Sequence, residues 1–549
     1  MSDTPETIHP LLSLRNISVN INTDDGDRAV LQHLSFDVHR SETLALVGES
    51  GSGKSICAQS IMGLLPKPAA RITSGHIYFD NQRIDNDLDA LQKIRGKRIA
   101  MIFQEPMAAL NPVQTVGTQL GEVFRLHFPQ LDNAEIRQRS VALLQKVGVS
   151  DTEQRLLAYP HQLSGGLCQR VMIAMALAGE PEILIADEPS TALDVSTQKQ
   201  LLLLLQDLQK TFQMAVIFIT HDLSLVAQWC QRVAVLQNGH LCEIASTATL
   251  FSQPQHPYTR ELLAAIREEQ PRNTQTENFP TLLTAKNICK TFAAPKKFLQ
   301  KKQTPKPVLR NVSFTIHQGE ILALVGESGC GKSTLGRALL FLDPPDSGEI
   351  TYQNQTLHSR DKQALRQLRR DLQVIFQDTN ESLNPRHTIG RILAEPLEIH
   401  NIGTTAERDA RVLQLLQKVE LPADSINRFP HEFSGGQRQR IGIARAISLN
   451  PKLIVCDEAV SALDVSTQAQ IIALLLKLKD EMGLSLLFIT HDLSVVRKIA
   501  DRVLVMHAGN IVESGSSAQI FTAPQHETTK QLLAATPAIP QLVQPVSIN

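Results

Sequence analysis

Apolar positions along the chain form short strand-like runs that alternate with longer helical stretches. In the first half, four β-rich apolar runs have the pattern of buried parallel strands: ETLALVG (42–48), IAMIFQ (99–104), EILIAD (182–187) and AVIFIT (215–220). Residues 113–160 and their counterpart 386–430 lack such runs, and we expect both segments to be mainly helical. The pattern predicts an α/β fold in each half, with a helical subdomain inserted into each.

The chain also contains an internal repeat. GESGSGKS at 48–55 returns as GESGCGKS at 326–333, and YPHQLSGG, TALDVSTQ and FITHDLS return later in the same order. The offset between copies falls from 278 residues at the phosphate-loop lysines to 270 residues at the last motifs. Because so long a period indicates duplicated domains, we predict a first domain at 1–267 and a second at 281–549. The polar, proline-containing stretch 268–280 is predicted to be a linker.

The composition of the chain argues against several classes of function. Lys and Arg (54) nearly balance Asp and Glu (55), so no nucleic-acid partner is expected. No apolar run approaches the ~18 residues of a membrane-spanning helix, and the first residues lack the features of a signal peptide. The seven cysteines show no zinc-site spacing, which favours scattered thiols in a reducing cytoplasm. If the protein acts at a membrane, it must therefore bind something already there.

Two GxxxxGK[ST] loops predict two nucleotide sites. The glycines let backbone N–H groups surround phosphates, the lysine adds positive charge, and the serine hydroxyl ligates Mg²⁺. Each loop follows an apolar run and precedes a helical stretch, as this role requires. The predicted ATP-binding residues are Gly48, Glu49, Ser50, Gly51, Ser52, Gly53, Lys54 and Ser55, with Gly326, Glu327, Ser328, Gly329, Cys330, Gly331, Lys332 and Ser333 in the second copy.

Acidic pairs at the ends of two apolar runs supply the remaining catalytic candidates. Asp187 and Asp457 suit Mg²⁺ binding, and the adjacent Glu188 and Glu458 suit positioning or deprotonating the attacking water. His221 and His491 each follow an apolar run and precede Asp-Leu. Because the placement repeats, we predict that both histidines contact the γ-phosphate.

The order of these motifs resembles that of the ABC ATPases over essentially the whole chain, twice. The resemblance implies that Gln104 and Gln377 are Q-loop residues that contact ATP and Mg²⁺, and that Asp194 and Asp464 belong to D-loops. It also implies an intramolecular sandwich, in which the signature of one half caps the ATP held by the other. Site one would then include Ser434, Gly435 and Gly436, and site two would include Ser164, Gly165 and Gly166.

The two halves differ beside these motifs. LSGGLCQR carries Leu167 and Cys168 where FSGGQRQR carries Gln437 and Arg438, and Pro189 corresponds to Ala459. We predict two hydrolytic sites, of which site two is the weaker.

Two further differences concern adenine and thiol chemistry. Phe292 could stack on adenine, whereas its counterpart Ile21 offers only apolar contact, and a core role for either residue stays open. Cys330 lies inside the second loop, so we expect bulky thiol reagents to inhibit there.

LNP follows both Q-loops, and QPQHPYTRELL at 253–263 closes the first half, whereas the second half has only APQHETTKQLL. These features resemble the fused ATP-binding subunits of the oligopeptide/dipeptide/nickel importer family, of the kind described for peptides, microcin C or glutathione. HPYT could also be a simple helix start. The basic run 295–306 is either a solvated loop or a contact with anionic lipid.

The importer resemblance implies a peripheral ATPase at the cytoplasmic face of the inner membrane. Its partners would be two transmembrane permease subunits and, indirectly, an extracytoplasmic solute-binding protein. The alternative is a soluble tandem ABC protein acting on ribosomes or nucleic acid, although such proteins usually have a long charged linker, unlike residues 268–280. The solute, and whether it is a peptide, glutathione, a microcin-like molecule or a metal, stays open.

Overall fold

The computed structural model describes residues 9–23, 26–85, 87–190, 195–266, 279–292, 306–358, 361–376, 382–460 and 463–536. These residues form two compact units, with almost all of those up to 266 in the first and those from 279 onward in the second. Each unit has the same α/β architecture, and each is described by itself.

The first unit contains two sheets. Its strands are β1 (Leu12–Thr23), β2 (Gly26–Val38), β3 (Thr43–Val47), β4 (Ala70–Phe79), β5 (Gln82–Arg83), β6 (Ile99–Ile102), β7 (Ile183–Asp187), β8 (Ala215–Thr220), β9 (Arg232–Gln237) and β10 (His240–Ser246). The antiparallel sheet has the order β2-β1-β4-β5, and the other sheet has the order β10-β9-β3-β8-β7-β6. In the larger sheet all neighbours are parallel except β9 and β10.

Helices surround the larger sheet and connect its strands. The α-helices of the first unit are Lys54–Met62, Leu88–Ile94, Pro106–Ala109, Val116–His127, Asn133–Lys146, Thr152–Leu156, Gly165–Leu177, Val195–Phe212, Leu223–Trp229, Thr247–Ser252 and Pro257–Ile266, with a 3-10 turn at Pro160–Gln162. Several begin with a side-chain cap: Asp132, for example, accepts the N–H of Glu135, while the Glu135 carboxylate accepts the N–H of Asp132.

The second unit repeats this arrangement. Its strands are β11 (Thr281–Phe292), β12 (Lys306–His317), β13 (Ile321–Gly326), β14 (Ser347–Tyr352), β15 (Gln355–Leu357), β16 (Leu372–Ile375), β17 (Leu453–Asp457), β18 (Ser485–Ile489), β19 (Arg502–His507) and β20 (Asn510–Ser516). The sheet orders are β12-β11-β14-β15 and β16-β17-β18-β13-β19-β20. Its helices are Lys332–Leu339, Lys362–Asp371, Ile389–Ile399, Thr405–Lys418, Gly435–Ile447, Val465–Met482, Leu493–Ile499, Ser517–Thr522 and Glu527–Ala535, with 3-10 turns at Ala423–Asn427 and Pro430–Glu432.

The parallel strands are buried on both faces, which explains their continuous apolar sequence. In β3, Ala45 and Val47 belong to the core that includes the helical subdomain, whereas Leu44 and Leu46 belong to the core beneath the antiparallel sheet. Successive side chains of a strand point to opposite faces, so one strand contributes to two cores.

The predicted α/β fold with helical subdomains is confirmed. The four apolar runs form β3, β6, β7 and β8, and the predicted helical segments contain Val116–His127, Asn133–Lys146, Ile389–Ile399 and Thr405–Lys418. The antiparallel sheets were not predicted from the sequence. Among the helices of the described ranges, we find none with the length and apolar character needed to cross a membrane.

Candidate functional site

The first phosphate loop follows β3, and its lysine forms hydrogen bonds to carbonyl oxygens of the loop. The Lys54 ammonium donates hydrogen bonds to the carbonyl oxygens of Gly48 and Glu49, each at 2.8 Å, and the side chain is buried. Gly48 has a φ of +153°, and a Cβ there would lie 2.2 Å from the carbonyl oxygen of Leu236. Only glycine therefore fits at the start of this loop.

The second loop repeats this geometry at the end of β13. The Lys332 ammonium donates to the carbonyl oxygens of Gly326 at 2.8 Å and Glu327 at 2.9 Å. Cys330 is 7% exposed, and burial raises the pKa of its thiol. Because the thiolate is the reactive form, the structure weighs against fast modification of Cys330 by thiol reagents.

A serine and an aspartate meet at each loop. The Ser55 hydroxyl donates to Asp187 Oδ1 at 3.1 Å, and the Ser333 hydroxyl donates to Asp457 Oδ1 at 2.7 Å. Burial raises the pKa of both aspartates; the adjacent glutamate charges raise it further, and the serine hydrogen bonds oppose the shift. A hydroxyl beside a carboxylate offers the hard oxygen ligands that Mg²⁺ prefers. The oxygen donors at both loops therefore fit the predicted Mg²⁺ role.

The glutamate after β7 is held at both carboxylate oxygens. Gln104 Nε2 donates to Glu188 Oε2 at 2.9 Å, and His221 Nδ1 lies 3.2 Å from Glu188 Oε1. In the second unit, His491 Nδ1 lies 3.5 Å from Glu458 Oε1. These groups come together because β3, β6, β7 and β8 are neighbours whose carboxyl ends share one edge of the sheet.

The contacts in these pairs shift the pKa values of Glu458 and His221. The hydrogen bond from His491 lowers the pKa of Glu458, while burial opposes the shift. Burial alone would lower the pKa of His221, but the hydrogen bond and negative charge of Glu188 outweigh it and raise the pKa above its ordinary value. Each histidine therefore places Nδ1 beside a glutamate carboxylate.

Both glutamates occupy a costly backbone conformation. Glu188 has a φ of +44° and Glu458 a φ of +48°, in the left-handed region that disfavours side chains with a Cβ. Their N–H groups donate to the carbonyl oxygens of Ile219 and Ile489, at 3.0 and 2.9 Å. Such conformations cost about 1–3 kcal/mol and cluster at functional sites. The repeat of this strain supports a role for the turn after the strand.

The signature motifs begin the helices Gly165–Leu177 and Gly435–Ile447. The Ser434 hydroxyl accepts the N–H of Gln437 at 3.3 Å, and Gln437 Oε1 accepts the N–H of Ser434 at 3.0 Å. The Ser164 hydroxyl accepts the N–H of Leu167 at 3.4 Å, but Leu167 has no side-chain oxygen to return the bond. An added Cβ at Gly165 or Gly435 would have no neighbouring atom within 4 Å among the described residues. Each unit therefore leaves space for an anion to approach the N-terminus of its own signature helix.

A buried glutamine distinguishes the two units beside the glutamate. Gln169 Nε2 donates to the carbonyl oxygen of Pro189 at 2.9 Å and thereby anchors the residue after Glu188. Its counterpart Gln439 is equally buried, but its Nε2 has no hydrogen-bond partner among the described residues. The difference at Pro189 is visible in the sequence, but the role of Gln169 is not, because nothing local in the sequence pairs positions 20 residues apart.

The structure shows how far the two candidates for adenine contact, Phe292 and Ile21, are exposed. Phe292 ends β11 with its side chain 45% exposed, and Lys290 Nζ lies 5.7 Å from its ring centre, so Phe292 is not a core residue. Ile21 is partly buried in β1 and pairs with Ala70 of β4. Gln377, Asp194 and residues 295–305 of the basic run lie outside the described residues.

Comparison with known proteins identifies the family. The model of the ABC transporter family matches residues 31–191 and 309–461, and a model described as the oligopeptide/dipeptide transporter, C-terminal region, matches residues 242–294. The chain is 44% identical to the glutathione import ATP-binding protein GsiA of Pectobacterium atrosepticum, covering 96% of this chain and 89% of that one. It is 46% identical to the peptidoglycan transport ATP-binding protein YejF of Agrobacterium fabrum, covering 96% of each chain.

A third relative, an uncharacterized ABC transporter ATP-binding protein YejF from Escherichia coli, is 46% identical and covers 95% of this chain and 99% of its own. Both matching family models are transporter models, so these matches give no support to the ribosome or nucleic-acid alternative. The predicted importer-type resemblance and the predicted ATPase activity are confirmed at the level of the family. The chain belongs to the ABC transporter family and is a tandem ATP-binding, ATP-hydrolysing subunit of that family.

Proposed function

We propose that this chain hydrolyses ATP to drive a membrane permease that imports peptides or peptide-like solutes. One observation carries the ATPase half of the proposal: each unit gathers its lysine, its Ser-Asp pair and its Glu-His pair at one edge of a parallel sheet. The match of residues 242–294 to a transporter C-terminal region, and the import and transport functions in the relatives' names, support the solute class.

The residues of each unit suit distinct parts of phosphoryl transfer. Lys54 and Lys332 would leave their loop carbonyls and bind the phosphates of ATP. The Ser55–Asp187 and Ser333–Asp457 pairs would hold Mg²⁺, which neutralises charge on the phosphates when it is bound. We expect Gln104 to join its site through the same cluster, and Gln377 to do so by resemblance.

Glu188 and Glu458 would orient and deprotonate the attacking water. His221 and His491, hydrogen-bonded or close to these carboxylates through Nδ1, would keep Nε2 for the γ-phosphate. A raised pKa favours the protonated His221, which donates rather than accepts at a phosphate oxygen. The Gln104 and His221 contacts support a role for Glu188 as the water-positioning carboxylate of site one.

The resemblance to ABC ATPases supports composite sites. Site one would combine the first phosphate loop with Ser434, Gly435 and Gly436, and site two would combine the second loop with Ser164, Gly165 and Gly166. Helix N-termini suit this role because their free N–H groups and dipole favour phosphate. Placing both halves on one chain makes their pairing intramolecular. The single-sided cap of Ser164 supports the proposal that site two is the weaker.

The proposed organisation follows the repeat. The first ATP-binding domain would occupy 1–267, the linker 268–280 and the second domain 281–549. The chain would sit as a peripheral subunit at the cytoplasmic face of the inner membrane, with two permease subunits and, through them, an extracytoplasmic solute-binding protein. The relatives' names differ between glutathione import and peptidoglycan transport, so the proposal stays at peptide-like solutes.

Affinity purification of the tagged chain from detergent-solubilised membranes, followed by mass spectrometry, tests the partner proposal. We expect two multi-span permease proteins in near-equal amounts with the chain. The Glu188→Gln/Glu458→Gln double variant serves as the control, because it should keep both permeases while losing ATP turnover. Ribosomal proteins in place of permeases would overturn the importer proposal, and full turnover by the double variant would overturn the roles of the glutamates.

A further inference from the structure

Residues 253–263, the C-terminal extension of the first unit, contact the phosphate loop of the same unit through Tyr258. The N–H of Glu49 donates a hydrogen bond to the hydroxyl of Tyr258 at 3.2 Å, across 209 positions of sequence. Tyr258 lies at the start of the helix Pro257–Ile266 and is 4% exposed. It is the tyrosine of the HPYT motif, within residues 242–294 that match the transporter C-terminal region.

A set of local hydrogen bonds fixes the position of Tyr258. Glu243 of β10 accepts the N–H groups of Gln255 and His256 at 2.9 and 3.0 Å. His256 Nδ1 then accepts the N–H of Tyr258 at 3.2 Å. The ring packs in the main core of the unit. The hydroxyl therefore reaches Glu49 from a side chain that is buried and whose backbone is held by hydrogen bonds.

The second unit keeps this base but not the tyrosine. Glu513 accepts the N–H groups of Gln525 and His526 at 2.8 and 3.0 Å, and His526 Nδ1 accepts the N–H of Thr528 at 3.2 Å. Thr528 stands where the first unit has Tyr258, and its short side chain has no ring to extend a hydroxyl toward Glu327. Among the described residues, the same hydrogen-bonded base thus occurs once with a contact to a phosphate loop and once without it.

The contact acts on the residue that also holds the loop lysine. Both peptide groups of Glu49 form hydrogen bonds: its N–H donates to the Tyr258 hydroxyl, and its carbonyl oxygen accepts from the Lys54 ammonium at 2.8 Å. If Lys54 moves to the phosphates of ATP, as proposed above, the Glu49 carbonyl would lose that contact. The tyrosine hydrogen bond would then be the one of these two contacts that still holds Glu49.

We infer that Tyr258 is a positioning residue that couples the C-terminal extension to nucleotide binding at site one, and that site two lacks this coupling. A pre-ordered loop binds ATP with less loss of conformational freedom, so removing the hydroxyl should weaken binding at site one alone. The link also runs in reverse, because any partner that shifts the extension would change the affinity of site one for ATP. This inference rests on the phosphate-loop roles in the proposed function.

The test measures equilibrium binding of ATP to the full chain in EDTA, which prevents hydrolysis. Lys332→Ala leaves site one to be measured, and Lys54→Ala leaves site two. In the first background, Tyr258→Phe should weaken binding about 2- to 10-fold, the range expected for one neutral hydrogen bond. In the second background it should change nothing. Thr528→Val, the matched change in the other extension, should leave both affinities unchanged.

Each other outcome has a meaning. Unchanged affinity of site one in Tyr258→Phe would overturn the inference, and equal weakening at both sites would reduce Tyr258 to a general structural role. If neither Lys54→Ala nor Lys332→Ala weakens ATP binding, the loop roles fail instead. Hydrogen exchange at the Glu49 amide gives a second readout: it should quicken in Tyr258→Phe while Glu327 stays constant, and an unchanged Glu49 rate would contradict the contact.

Discussion

Lys54 and Lys332 donate hydrogen bonds to the same two carbonyl oxygens of their phosphate loops. By contrast, the two units have different residue types beside the signature helices and in the C-terminal extensions. The first unit has Leu167, Cys168 and Tyr258 where the second has Gln437, Arg438 and Thr528. The loop lysines expected to bind phosphate thus keep the same contacts in both units, whereas these three neighbouring positions do not.

The differences are compensated within each unit. Leu167 packs against the first unit's core, while Gln437 is exposed and completes the cap of its helix. Cys168 is buried and its thiol lies 3.5 Å from the carbonyl oxygen of Pro160, whereas the Arg438 guanidinium donates to the carbonyl oxygen of Phe433. Apolar packing in one copy replaces polar contacts in the other, so each helix keeps its place while the chemistry beside the signature changes.

The largest expected effect comes from the two glutamates. Glu188→Gln with Glu458→Gln should lower ATP turnover by about 10²- to 10⁴-fold, the usual contribution of a general base. Glu188→Gln alone should cost more than Glu458→Gln, because site two is proposed to be the weaker. Steady-state ATP turnover measures both. The exposed Glu153→Gln is the control, and a larger loss in Glu458→Gln would reverse the ranking of the sites.

The buried glutamines give the next contrast. Gln169→Leu should leave the carbonyl of Pro189 without its donor and cost about 1–3 kcal/mol of stability in the first unit. Gln439→Leu removes a buried donor that has no partner among the described residues, so it should be neutral or stabilising. Hydrogen exchange in the helices Gly165–Leu177 and Gly435–Ile447 reports each unit separately. Equal costs for the two substitutions would remove this distinction.

A smaller effect is expected at the helix caps. Gln437→Leu deletes the return bond to the Ser434 N–H and should destabilise its helix by about 0.5–1 kcal/mol. Leu167→Gln offers Ser164 the same bond but loses apolar packing, so its net effect should lie near zero. Exchange rates of the first-turn amides measure both. Strong stabilisation by Leu167→Gln would show that the apolar packing of Leu167 contributes little.

The smallest effect concerns pH. The folded-state pKa of His221 is raised, so its pairing with Glu188 stabilises fully below about pH 6.5 and is lost as pH rises through the raised pKa. The stability lost in His221→Gln should therefore shrink as the pH increases from 6 to 9. Urea unfolding at several pH values measures the difference between the proteins. A difference that grows with pH would contradict the assigned direction of the pKa shift.

The sequence by itself determined the α/β class, the duplication, the phosphate loops and the acidic pairs. These features depend on residues that are contiguous in the sequence. Burial on both faces requires apolar runs such as 182–187, and the backbone conformation of the phosphate loops requires glycine. Even His221 could be proposed from its position after an apolar run, because parallel strands bring their carboxyl ends to one edge.

Only the tertiary structure decided which of these residues meet. The hydrogen bonds of Gln104 to Glu188, Gln169 to Pro189 and Glu49 to Tyr258 join positions 84, 20 and 209 residues apart. The antiparallel sheets belong to the same class, since β1 pairs with β4 across the whole phosphate loop and its helix. Such contacts depend on strand order and packing, which no local periodicity encodes, so the positioning residues of the first site became visible only in the fold.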